Sequence, residues 1–340
     1  MQRAALIGCG AMSRAWLEAA RTIDGLEVVG LADLDARRAE ERAHEFGLDQ
    51  AVIAIDIDEL LRRSAPDILL DVVVPAARHA VVSAALAAGC HVLSEKPMAE
   101  TLDEARDLVA RARAADRLHA IVQNRRYLAA PRRLRRLIAS GAIGAVTSLH
   151  CDFFLGPHFG GFREEMDHVL LLDMAIHTFD VARFLSGRQP EAVYAREWDP
   201  RNSWYRQGSS AAAIFELEDG IVFSYRGSWC AEGRGTSWES AWRIVGTKGT
   251  VTWDGHDDIR AEIAEGPGDG LFSEIAAVAI PPLDSSDRIG GHLGLLQDFI
   301  AATRGGPEPE TIGHRNIKSL AMVFGAIDSA TTGRRVEIRA

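Results

Sequence analysis

The stretch Ala4-Ala5-Leu6-Ile7-Gly8-Cys9-Gly10-Ala11-Met12-Ser13 runs from a short apolar segment into a glycine turn, and helical spacing follows from Ala11 to Ile23. A short, unbroken apolar run suits a strand buried on both faces, the situation of a strand in a parallel sheet. Gly8 permits a tight strand-to-helix turn, Gly10 lets a pyrophosphate approach the backbone, and the helix N-terminus adds amide donors and a favourable dipole. Ser13 takes the third position, where glycine or alanine is usual, and is still small enough for close helix–strand packing. Asp33 ends the next strand-like run, Glu27 to Ala32, at the spacing of roughly 20 residues expected for a ribose-binding acid. A carboxylate there also repels a 2′-phosphate. The pattern therefore predicts a dinucleotide site that takes NAD in preference to NADP, with Arg37 and Arg38 as the nearest charges able to offset the repulsion.

The same alternation continues outward. Helices are expected at Ala36–Phe46, Ile57–Arg63, His79–Ala88 and Leu102–Ala115, with strands at 51–53, Ile68–Val74, His91–Leu93 and Ala120–Val122. Apolar runs separated by helices predict a doubly wound parallel sheet. Beyond about residue 125 the rhythm changes. Helices at Pro131–Ser140 and Leu171–Leu185 flank alternating strands at Val146–Phe154, Ala192–Trp198, Ser210–Leu217, Ile221–Trp229 and Ala241–Val245. Thr250–Trp253 and Ala261–Ile263 extend the set, Glu218-Asp219-Gly220 reads as a hairpin turn, and Gly266–Gly270 as a surface loop. Helices at Leu293–Thr303 and Arg315–Thr331 close the chain. The fold class is α/β. A parallel-sheet domain spans 1–122, and an α+β domain with a large, mostly antiparallel open sheet spans 123–340, its C-terminal helix free to pack back on the first domain.

Composition narrows the partners. The 340 residues carry a formal net charge of −10, with 47% hydrophobic and 25% charged residues, which argues against a nucleic-acid binder with a basic face. Cys9, Cys90, Cys151 and Cys230 form no C-x-x-C pair, which argues against a disulfide framework or a structural zinc. Met1-Gln2-Arg3 leads straight into a strand, leaving no room for a signal peptide, and no apolar stretch is long enough for a membrane span. A cytoplasmic protein in a reducing compartment is expected.

Two further segments carry chemistry. His91-Val92-Leu93-Ser94-Glu95-Lys96-Pro97 places a lysine just beyond the carboxyl end of a strand, where open α/β sheets bind ligands. Pro97 keeps Lys96 out of a helix. In Leu172-Asp173-Met174-Ala175-Ile176-His177, Asp173 and His177 are four residues apart on a predicted helix with apolar neighbours, so the spacing puts both on one face. A structural Asp/His pair bracing the helix satisfies the same pattern. A metal site built from Asp173, His177 and His168 or His158 lacks any recognised ligand spacing, and no metal is expected.

Taken together, the glycine turn, Glu95-Lys96-Pro97 and Asp173-x-x-x-His177 resemble the Gfo/Idh/MocA family of oxidoreductases nearly end to end. Val72-Val73-Val74-Pro75 with His79, the block Ala87 to Pro97, and the closing Ser329 to Val336 are also similar. The resemblance implies an N-terminal Rossmann domain, with Gly8, Gly10, Ala11, Met12, Asp33, Pro75, His79, Glu95 and Lys96 at the cofactor. It implies a second domain whose open sheet forms the interface of a homodimer or homotetramer. Lys96, Asp173 and His177 are then the catalytic residues over the nicotinamide, and Arg126 and Tyr127 join them in contacting substrate. Where many relatives carry a glycine-rich stretch before the aspartate, this chain has Asp167-His168-Val169-Leu170-Leu171.

The implied activity is hydride transfer between NAD(P) and a secondary hydroxyl or ketone of a sugar, sugar derivative or cyclic polyol. His177 is the best candidate general base, and Lys96 polarises the reacting oxygen. Which of the two takes the proton stays open. An enzyme that recycles tightly bound NAD within each turnover, by oxidoreduction or redox-assisted glycoside cleavage, is an alternative. A non-catalytic dinucleotide sensor is a more distant one. His158, Arg163, His168 and Trp253 are possible specificity residues, and Arg132, Arg133, Arg135 and Arg136 read as a solvated helix face.

Overall fold

The computed structural model describes every residue except 267 and 269, so part of the loop expected at Gly266–Gly270 lies outside the described residues. The chain divides into two compact units, Met1–Tyr127 with Arg288–Ile317, and Leu128–Asp287 with Lys318–Ala340. Each unit is thus made of two separate segments, and a single boundary after residue 122 does not describe the division.

The first unit is a six-stranded, wholly parallel sheet: β1 (Gln2–Ile7), β2 (Leu26–Ala32), β3 (Val52–Ala54), β4 (Ile68–Asp71), β5 (His91–Ser94) and β6 (His119–Ile121). The spatial order β3-β2-β1-β4-β5-β6 reverses direction between β1 and β4. That reversal is the switch point at which open α/β sheets bind ligands. Between the strands run α1 (Ser13–Ala20), α2 (Ala36–Glu45), α3 (Ile57–Ser64), α4 (Pro75–Ala87) and α5 (Leu102–Ala114). Asp35, Asp56 and Thr101 cap α2, α3 and α5 through their side chains. β4 stops at Asp71, three residues short of the predicted strand. The chain turns there, and Pro75, whose fixed φ suits a first helical position, starts α4 four residues early.

The second unit begins with α6 (Ala129–Ala139) and contains α7 (Ile176–Ser186). Its sheet comprises β7 (Val146–Phe154), β8 (Pro190–Trp198), β9 (Ser210–Leu217), β10 (Ile221–Ser228), β11 (Ala241–Gly246), β12 (Gly249–Trp253), β13 (Ile259–Gly266) and β14 (Glu274–Val278). The order is β14-β13-β12-β11-β7-β10-β9-β8, and among the described residues β7–β10 is the one parallel pairing in it. Glu218-Asp219-Gly220 forms the β9–β10 turn as predicted, with Asp219 at φ +63. Arg133, Arg135 and Arg136 do not form a solvated face: they donate to the carbonyls of Pro281, Leu185 and Pro282.

Two late helices complete the chain, α8 (His292–Thr303) in the first unit and α9 (Gly313–Thr332), within which the division falls. A short β15 (Val336–Glu337) pairs with β8. The core of the first unit joins Trp16, Leu17, Ala20 and Tyr127 to Leu295, Leu296, Phe299 and Ile300 of α8. Among the described residues no helix is long and apolar enough to cross a membrane.

Candidate active site

The glycine turn connects β1 to α1. Gly8 has φ +95, and a Cβ there would sit 2.6 Å from the Val72 carbonyl oxygen, so the backbone just after β4 leaves room only for glycine. A Cβ at Gly10 would meet nothing within 4 Å. Gly10, Ala11 and Met12 are exposed, and their amides donate to no group among the described residues. Ser13 is fully buried with its hydroxyl donating to the Gly10 carbonyl at 2.6 Å, which explains why a third glycine is not needed. Asp33 accepts from the amides of Cys9 (2.8 Å) and Asp35 (3.0 Å), which fixes its carboxylate beside the turn. Burial, reinforced by the Asp33 charge, pushes the Cys9 thiol up to about 12, so this cysteine is an inert packing group. Exposed amides at a helix start, open space over Gly10 and a fixed acid at the end of β2 together fit NAD.

Of the cations nearest this turn, sequence reasoning named Arg38 but missed Arg14 and Arg42. Arg42 donates to the carbonyls of Cys9 (3.4 Å) and Gly10 (3.3 Å), and with Arg14, Arg38 and Glu45 it lines a groove of about 320 Å³. Arg37, by contrast, is turned to Asp35 at the surface.

Lys96 stands two residues beyond the end of β5, in a cis peptide with Pro97. Glu95 beside it is buried. One carboxylate oxygen accepts from Trp16 Nε1 at 2.8 Å and faces His292 Nε2 at 3.4 Å, and the other accepts from the Lys96 amide at 3.2 Å. Burial alone would raise the Glu95 pKa, but the bonds from His292 and Trp16 and the Lys96 charge outweigh it, and the group is held below the usual carboxylate range. On the other side Arg78, 1% exposed, pairs with the fully buried Asp71 at 2.9 Å and also donates to the carbonyls of Val73 and Pro97. Burial pushes the Asp71 carboxyl up, and the Arg78 charge opposes that. The loop that carries Lys96 is therefore fixed from both flanks, by Glu95 and by Arg78, with Asp71, Arg78, Trp16 and His292 left out of the sequence reading. Asp71, an acid inside an otherwise apolar strand, was the available signal. His292 gave none, because its partner is about 200 residues away in the chain.

In the second unit, α7 is preceded by a π-helical turn over Leu170–Ala175 rather than by continuous α-helix. Asp173 lies in that turn and His177 one turn later, both partly buried. Such turns recur at functional sites because the extra residue re-aims a side chain. Asp173 accepts from Arg163 Nε at 2.7 Å, and Arg163 is held between the rings of Phe159 (4.9 Å) and Phe162 (4.8 Å).

The other expected site residues have these settings in the structure. Tyr127 is 1% exposed with its hydroxyl donating to Asp298 at 2.8 Å, packed in the core of the first unit. Arg126 lies beside it, 3.5 Å from the Glu310 carbonyl. His79 binds Asp107 at 2.7 Å, which ties α4 to α5. Pro75 starts α4. His168 bonds Glu197 at 2.5 Å, His158 stacks on Trp204 at 3.8 Å, and Trp253 is buried with its Nε1 on the His256 carbonyl.

Residues 2–123 match the model of an oxidoreductase family with an NAD-binding Rossmann fold, and residues 132–252 match a GFO/IDH/MocA C-terminal domain. The chain is 30% identical over 350 residues to D-apiose dehydrogenase of Paraburkholderia graminis, covering 99% of this chain and 90% of that one. It is 27% identical over 345 residues to 1,5-anhydro-D-fructose reductase of Ensifer adhaerens, covering 99% of both. An oxidoreductase from Agrobacterium radiobacter, solved with NAD+, L-tartaric acid and magnesium, superposes with a TM-score of 0.86 at 24% identity, over 99% of this chain and 98% of that one.

Proposed function

The chain belongs to the Gfo/Idh/MocA oxidoreductase family and is an NAD(P)-dependent oxidoreductase; on that premise we propose that it oxidises a secondary hydroxyl of a sugar, sugar derivative or cyclic polyol, or reduces the corresponding ketone, with Lys96, His177 and Asp173 at the reacting carbon. The amides of the glycine turn and Asp33 would hold NAD, which when bound would supply the hydride acceptor. Lys96 donates a hydrogen bond to the reacting oxygen and stabilises the charge that develops on it. His177 receives the hydroxyl proton. Asp173, held by Arg163, orients the substrate through a neighbouring hydroxyl. The observation that carries this reading is the Lys96 loop, clamped by Glu95 and Arg78 at the carboxyl ends of the strands. The activities named for D-apiose dehydrogenase and 1,5-anhydro-D-fructose reductase support a carbohydrate substrate.

A scan of sugars and polyols for NADH formation tests it. Lys96→Ala should cost about 10²–10³ in kcat, as for loss of an oxyanion donor, and His177→Ala about 10²–10⁴, as for loss of a general base. Full activity in both variants would overturn the site. No turnover of any carbohydrate would overturn the substrate class. The same reading includes a cytoplasmic location and a homodimer or homotetramer formed through the open sheet. The exposed Tyr194, Ile214 and Val222 on neighbouring strands support the latter. Sedimentation at a monomer's mass would refute it.

A further inference from the structure

One end of the second unit's sheet carries aromatic side chains that play no part in the chemistry proposed above. Trp204 Nε1 and the Tyr205 hydroxyl both donate to the Pro157 carbonyl, at 3.1 and 2.5 Å, and so anchor the loop that bears Phe159. Tyr205 stacks on Trp229 at 5.7 Å, and Trp229 meets Phe159 edge-on at 5.4 Å. Trp238 lies 6.0 Å from Phe159 and 6.2 Å from Phe153. The inner members are buried, Trp229 at 1% and Tyr205 at 5% exposure. The outer ones are not: Phe159 and Trp238 are each 44% exposed and Phe162 is 65% exposed.

Single exposed apolar residues need no explanation, but several aromatic rings gathered on a buried support mark a binding surface. This surface has a polar centre. Arg163 lies over Phe159 and Phe162 with its Nε committed to Asp173. Its two Nη groups, four N–H donors, have no acceptor among the described residues. Flat apolar rings beside a fork of fixed donors match the chemistry of a pyranose. Its C–H face, slightly positive, packs on the negative face of an aromatic ring, and its hydroxyl rim accepts hydrogen bonds. A fatty chain would leave the guanidinium unpaired, at a cost.

We propose that Phe159, Phe162, Arg163 and Trp238 form a second carbohydrate subsite next to the one at Asp173, so that the preferred substrate is a glycoside with a second pyranose unit rather than a free monosaccharide. The arginine is the link: it touches both the aromatic surface and the carboxylate. The subsite rests on Asp173 binding the reacting sugar, as proposed above.

The test compares the NAD-loaded enzyme on glucose and galactose with the same enzyme on cellobiose, maltose and lactose. At least one disaccharide should be oxidised with a higher kcat/KM than its constituent monosaccharides. In Trp238→Ala the ratio of disaccharide to monosaccharide kcat/KM should fall about tenfold, the scale of one lost aromatic contact. Trp238→Phe should restore most of it. No disaccharide preference in the wild type, or equal losses on both substrate types, overturns the subsite while leaving the hydride-transfer reading intact. Calorimetric titration of the disaccharides separates the two further. Binding that is lost in Trp238→Ala without any NAD reduction sustains the subsite and shows these disaccharides to be ligands rather than substrates. Absence of binding and of turnover sinks the subsite.

Discussion

At Gly8 an added methyl group would lie 2.6 Å from the Val72 carbonyl oxygen, on a backbone at φ +95 that L side chains rarely adopt. At Gly10 it would meet no protein atom within 4 Å. The two glycines thus serve different ends, one the fold and the other the ligand. Gly8→Ala should destabilise the protein by about 1–3 kcal/mol through strain and displaced backbone. Gly10→Ala should leave the cofactor-free melting temperature unchanged and weaken NAD binding by about tenfold or more, because the methyl sits where the pyrophosphate approaches the backbone. Thermal melts with NAD titrations decide this, and a Gly10→Ala protein that melts as early as Gly8→Ala would refute the division. Both glycines were legible in the sequence because their spacing is local. The Asp71–Arg78 pair was not, since neither residue announces its partner until the strand and the helix are packed together.

Among the elements, β6 begins with a residue whose protonation the fold opposes. His119 is 1% exposed, with Nε2 3.1 Å from the Ser94 hydroxyl at the end of β5. Burial, aided by the Arg78 charge, pushes its pKa down to about 3. The unfolded chain, with an ordinary imidazole near 6.5, therefore takes up the proton first. The stability linked to neutral His119 is fully present above that value and is lost as pH falls from there toward 3. Between pH 7.5 and 5 the wild type should lose about 2 kcal/mol that a His119→Gln variant does not. Urea titrations at the two pH values measure the difference, and equal losses in both proteins would show that His119 does not carry it. At this scale the strands and helices of the first unit were readable from their apolar runs. Two features were not. The π turn before α7 is one inserted residue with no compositional mark. β14 lies at the sheet edge, mostly exposed, and so lacks the alternation that reveals a half-buried strand.

For the whole molecule, the main departure from a linear reading is that the nucleotide-binding unit is completed by residues 288–317. The sequence shows α8 as an apolar helix but not which core it fills, because helical periodicity names a buried face and not its partner. The contacts supply the answer. Leu295, Leu296, Phe299 and Ile300 pack with Trp16, Leu17 and Tyr127. Asp298 receives the Tyr127 hydroxyl and Arg288 as well as the Glu310 amide, and His292 reaches Glu95 beside Lys96. Residues 1–127 alone would expose one face of that core and leave the buried Glu95 carboxylate without the His292 contact, costs of several kcal/mol against a domain stability of about 5–15 kcal/mol. The isolated segment 1–127 should therefore be loosely packed, without a cooperative melt or NAD binding, whereas 1–127 joined through a flexible linker to 288–317 should recover both. Near-UV circular dichroism and NAD titration distinguish the two proteins. A cooperative, NAD-binding 1–127 would show that α8 is an addition to a finished domain rather than part of its core.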